Sequence, residues 1–169
     1  MTLVDVLARL AATGSLGKLR PGARWADIAA AYGEPEDLGP VSRRRRWPRR
    51  FGVGSVELLV CRCRALRSLT LSLMLDAVML PGPGPGQVRS FDPYVSEATL
   101  TAAMRDVGCS WTVREYDFGQ RDLRTAPEDD VRVDFAFVDR DTYDGPGADE
   151  WTLAKAGFWT MDHAGCPEP

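Results

Sequence analysis

The chain has 169 residues, 44% of them hydrophobic and 27% charged, a size and composition for one globular domain and not for a disordered segment. Its formal net charge is −3, from 21 basic and 24 acidic residues, so it is not a polycation built for nucleic acid. The apolar stretch over residues 69–80 is broken by Thr70, Ser72 and Asp76 and cannot span a bilayer, and Asp5 and Arg9 interrupt the start where an export signal needs an unbroken apolar run, which makes the cytoplasm the expected compartment.

Leu3, Val6, Leu7 and Leu10 recur at i, i+3, i+4 and i+7, one apolar face of a short helix with Thr2 as cap and Gly14 as stop. Pro21 and Gly22 mark a turn. Trp25, Ile28, Ala29 and Tyr32 repeat the helical spacing, ended by Gly33 with Pro35 beyond it. Residues 36–50 read as a polar loop that finishes in a basic run. Val56, Leu58 and Val60 alternate as on a strand, and Leu69, Leu71, Leu73 and Leu75 alternate on a second one. Residues 63–66 between them are few enough for a hairpin turn. Residues 81–86 alternate proline with glycine and read as a linker.

The second half starts again with a helix, on which Leu100, Ala103, Met104 and Val107 share a face between a Ser96 cap and a Gly108 stop. Trp111 and Val113 open a strand. Val131, Val133, Phe135 and Phe137 alternate on the next, and residues 151–159 are expected as an edge strand. Each half therefore runs helix, strand, loop, strand. The expected fold class is α+β: one antiparallel sheet with helices mainly on one face. The expected organisation is a single domain over 1–169, made of units 1–80 and 87–162 joined by the linker 81–86. Leu71, Leu73, Val133 and Phe135 are expected in its core.

Charge is divided along the chain. Residues 1–80 hold 13 Arg or Lys and 7 Asp or Glu, a net of +6; residues 81–169 hold 8 and 17, a net of −9. Such a division points to an electrostatic partner surface. The acidic candidates are Asp129, Asp130, Asp139, Asp141, Asp144, Asp149 and Glu150. The basic candidates are Arg43, Arg44, Arg45, Arg46, Trp47, Arg49 and Arg50. Arginine beside an aromatic can neutralise phosphates and stack on bases, but the acidic second half argues against a general nucleic-acid binder. A solvated loop or a protein partner accounts for the run as well.

No chemistry-bearing motif emerges. His163 is the single histidine, and nothing local supports its pairing with Cys109. Asp139, Asp141 and Glu150 would fill positions 1, 3 and 12 of a calcium loop, but Tyr143 stands where an oxygen ligand is needed and the turn glycine is displaced by one. Cys61 and Cys63 are too close for the usual zinc spacing with His163 and Cys166, and read as small buried hydrophobes. No catalytic residue, metal or cofactor is expected.

Leu19-Arg20-Pro21-Gly22, Gly33-Glu34-Pro35, and Phe51-Gly52 followed by Val56-Glu57-Leu58 form a pattern that resembles small actinobacterial immunity-type proteins. The "glycine, helix, glycine-x-proline" piece also looks like the start of the BamE (SmpA/OmlA) lipoprotein fold, without that family's lipoprotein signal. The likeness covers roughly the first 80 residues and rests on turn and core formers, so it implies a fold and not an active site. What it implies is an immunity, or antitoxin-like, protein that neutralises a bacterial toxin by direct binding. The alternative is a non-catalytic structural or regulatory adaptor of a larger complex. The expected partner is a protein, with no membrane involved.

Overall fold

A computed structural model describes residues 1–139 and 151–160. Helix α1 (Leu3–Thr13) starts where the sequence places it. The Thr2 hydroxyl accepts from the Asp5 N–H at 3.2 Å, and the Asp5 carboxylate accepts from the Thr2 N–H at 2.6 Å, a closed capping box. Gly14 ends the helix in the left-handed conformation, its N–H donating to Leu10. Helix α2 (Trp25–Tyr32) follows the turn at Pro21 and Gly22. Helix α3 (Glu97–Asp106) is capped by Ser96, whose hydroxyl accepts from the Thr99 N–H. It stops short of Val107, which is exposed and not on the apolar face the spacing suggests.

Ten strands accompany the helices: β1 (Glu36–Ser42), β2 (Arg45–Val53), β3 (Val56–Val60), β4 (Leu66–Ser72), β5 (Val78–Pro81), β6 (Val88–Phe91), β7 (Thr112–Tyr116), β8 (Gln120–Glu128), β9 (Val131–Val138) and β10 (Thr152–Thr160). Eight of them form one sheet in the order β1-β2-β3-β4-β10-β9-β8-β7, antiparallel at every step. The fold is α+β and dominated by this sheet. Residues 1–80 supply β1–β4 and the second half supplies β7–β10, so the two halves meet where β4 pairs with β10.

Register explains the core. Phe51, Leu58, Leu69, Phe158, Val133 and Thr125 stand opposite one another in turn across six strands, and each is buried. The next row runs Val56, Leu71, Ala156, Phe135, Leu123, again buried. Leu71, Leu73, Val133 and Phe135 lie in the core as expected, but Leu75 falls beyond β4 and is exposed. Above this layer α1 packs against β8 and α3, with the Thr125 hydroxyl donating to the Ala11 carbonyl at 2.8 Å. The Trp25 ring of α2 meets Phe51 at 4.0 Å between centroids.

Three local expectations are corrected. Residues 36–50 are not a loop but the β1–β2 hairpin. This pair ends the sheet, so neither face of β1 is buried and the alternation that marks a strand is lost. Residues 81–86 are not a linker but the turn between β5 and β6. There Gly82 N–H donates to Gln87, Gln87 N–H to Gly84, and Gly86 N–H to the Tyr32 carbonyl. The third correction is β10, expected at an edge but found between β4 and β9, with Leu153, Ala156 and Phe158 buried. β8 is not foreseen at all: it carries a single inward aliphatic, Leu123, in a polar run, which gives too weak an alternation to announce a strand.

Candidate functional site

The acidic candidates among the described residues do not form one patch. Asp129 and Asp130 make the exposed turn between β8 and β9, held by Arg132, whose Nη1 donates to the Asp129 carbonyl at 2.7 Å. Asp139 follows the other end of β9, with its N–H donating to Gly119 at 3.1 Å. Nine residue steps at about 3.3 Å each place these two sites roughly 30 Å apart. Asp141, Asp144, Asp149 and Glu150 lie outside the described residues, as do His163 and Cys166.

The basic candidates also divide. Arg43 and Arg44 form the tip of the β1–β2 hairpin and Arg45 and Arg46 begin β2, all four exposed. Trp47 is half-buried beneath the Arg64 guanidinium, 4.4 Å from its ring centroid. Arg49 pairs with Asp37 at 2.5 Å, and that hydrogen bond, with one from the Gly39 N–H, holds the Asp37 carboxyl below its ordinary value. Arg50 points to the face opposite the core, across from Leu59.

That outward face carries an array which the sequence does not announce. Asp134 on β9 accepts from Arg124 Nε on β8 and from Trp159 Nε1 on β10, the latter at 2.8 Å. Asp122 accepts from the Tyr116 hydroxyl at 3.0 Å and from Gln120 Nε2 at 2.9 Å. The Arg114 guanidinium lies 4.9 Å from the Tyr116 ring centroid. The bond to Asp122 raises the Tyr116 phenol above its ordinary value, and the bond to Asp134 does the same for the Arg124 guanidinium. Alternation on β9 marks Arg132 and Asp134 as outward-facing; finding Arg124 and Trp159 beside Asp134 requires the register of three strands. These paired groups form a polar patch on the outward face across β7–β10.

The chain matches no family model, no curated protein and no solved structure.

Cys61 is buried, and Cys63 and Cys109 are half-buried; burial pushes the Cys109 thiol up. Among the described residues no three His, Cys, Asp or Glu side chains gather as a metal site would require. Because both candidate ligand sets have the wrong spacing in the sequence, purified protein is expected to carry no stoichiometric zinc or calcium, and elemental analysis that finds one ion per chain would overturn this.

Proposed function

We propose that this chain is an immunity-type protein that neutralises a bacterial toxin in the cytoplasm by direct binding, without catalysis or a cofactor of its own. One observation carries the reading. The strand order sets β1–β4 and β7–β10 on opposite sides of the β4–β10 seam, with exposed arginines at the tip of the β1–β2 hairpin and exposed carboxylates in the turns of the second half, at Asp117, Asp129 and Asp130. Charged turns of opposite sign at separate places on one sheet steer and orient an oppositely patterned partner. In this reading α1, α2 and α3 cover one face of the sheet, and the outward face with its acidic turns is left for the toxin. The resemblance of the first 80 residues to immunity-type proteins supports the same conclusion. The second reading is an adaptor subunit, and what favours it is the exposed arginine tip of the β1–β2 hairpin, residues 43–46.

Two charge-removing variants test the proposal and report which acidic site is engaged. One is Asp129→Asn with Asp130→Asn; the other is Asp139→Asn with Asp141→Asn and Asp144→Asn. Association with a cognate toxin domain, to be sought first in the neighbouring gene, is expected to slow by about tenfold for at least one variant at low salt, with the difference narrowing as salt is added. Protection of cells expressing that domain should weaken in parallel. Unchanged association and protection in both variants would remove the acidic sites from the interface and turn attention to Arg43, Arg44, Arg45 and Arg46.

A further inference from the structure

A groove of about 1190 Å³ lies between α1, the loop after it, α2 and the β5–β6 hairpin, remote in sequence from both acidic sites. Its walls include Leu16, Tyr32, Leu80 and Phe91, and its charged lining is Arg9, Lys18 and Arg89, with no carboxylate among the lining residues. None of these three cations forms an ion pair with another described residue. A second groove of about 720 Å³ shares Gly17, Lys18, Ala30 and Ala31 with the first and adds Arg20 and Arg24 against one acid, Asp27.

The walls are held in place. Gly86 N–H donates to the Tyr32 carbonyl at 2.8 Å, which ties the hairpin to the end of α2. The Tyr32 hydroxyl accepts from the Lys18 N–H at 2.8 Å, which ties the loop to the same helix. At Gly17 the fit is close, because a Cβ there would stand 2.6 Å from that hydroxyl. Arg89 lies over Phe91, 5.0 Å from the ring centroid, and its Nη2 donates to the Met1 carbonyl at 3.2 Å.

We infer that this groove receives an extended segment of a partner protein in which acidic residues are interspersed with apolar ones. The chemistry selects this occupant. Cations spaced along two adjoining grooves suit several carboxylates better than one anionic head group, and the apolar walls between them need apolar side chains to cover. The volume exceeds the roughly 300–1,000 Å³ usual for small-ligand pockets, as an extended segment requires. A nucleic-acid strand would match the charge, but Arg89 already lies over the Phe91 ring, and the apolar walls at Leu16 and Leu80 give a phosphodiester backbone nothing to pair with. Because the groove is built by preformed contacts, binding needs little reordering of the chain.

The test titrates the intact chain, in a calorimeter, with a pool of capped ten-residue peptides carrying Asp or Glu at alternate positions and apolar residues between them. The comparison probes are the same pool with Lys for the acids, a ten-residue polyglutamate and a ten-nucleotide oligothymidine. The acidic-apolar pool is expected to bind at low salt at least tenfold more tightly than any of the three. Lys18→Glu and Arg9→Glu, both exposed positions, should each weaken that binding by about fivefold or more while leaving the circular dichroism spectrum and thermal midpoint unchanged. No binding of the pool, equal binding of the lysine pool, tighter binding of oligothymidine, or indifference to both charge reversals would each overturn the proposal. The inference does not rest on the immunity reading: loss of toxin protection in the Asp→Asn variants and peptide capture by this groove are separate measurements.

Discussion

Replacing Phe135 with alanine is expected to lower the unfolding free energy by about 3–5 kcal/mol. The ring is fully buried, opposite Leu123 on β8 and Ala156 on β10. Its loss removes apolar surface from the middle of the sheet and leaves a hole that its neighbours cannot close. Ala156 has only a methyl group, and the strands on both sides are fixed by their own ladders. Urea unfolding followed by circular dichroism measures the effect as a lower midpoint at unchanged slope. Val113→Ala, at a position 52% exposed, should stay within about 0.5 kcal/mol of the parent. A Phe135→Ala variant that loses less than about 1 kcal/mol would show that this row is not the core of the sheet.

The second large effect is expected at Gly157. It lies on β10 between Thr70 of β4 and Asp134 of β9. A Cβ built there would collide with the Leu69 carbonyl oxygen and stand 3.2 Å from Thr70 Cα. Both neighbours are backbone in a paired strand, so the strain cannot be relieved by a side-chain rotation. Gly157→Val is therefore expected to destabilise the chain by about 3 kcal/mol, although valine is a good strand former in isolation. The damage should be local to the junction of the halves. Hydrogen exchange should accelerate in β4 and β10 before it does in α1, and uniform acceleration or none would contradict the assignment.

What the sequence reveals follows from where each residue's environment is set. Helix α1 was legible because its cap, stripe and stop are all local, within residues 2–14. β9 was legible because one of its faces is entirely apolar and the other is not. β1 and β2 were not, since an edge hairpin carries charge on both sides, and Pro40 and Gly39 look like loop residues when read without their partners. β10 shows its apolar residues plainly, but whether a strand is central or at an edge depends on its two neighbours, and no local pattern carries that. The same reason hides the outward array. Asp134 could be assigned a face, while Arg124 lies ten residues away and Trp159 twenty-five, and only strand pairing brings the three together. The proline-glycine run misled for a further reason: its composition suits a turn and a linker equally, and the bond to Tyr32 that settles the matter is made by a distant helix.

The position of β10 sets an order on how the chain can be completed as it leaves the ribosome. Without Thr152–Thr160 in place, β4 and β9 have no partner on the sides they share with it, and each presents a bare row of peptide groups. The sheet closes only when β10 slides between them and satisfies both rows at once. Such late, long-range pairing is slow, and in the interval each open edge is a template for the strands of other nascent chains. Anything that covers the β4 edge before β10 docks would therefore compete directly with closure of the sheet.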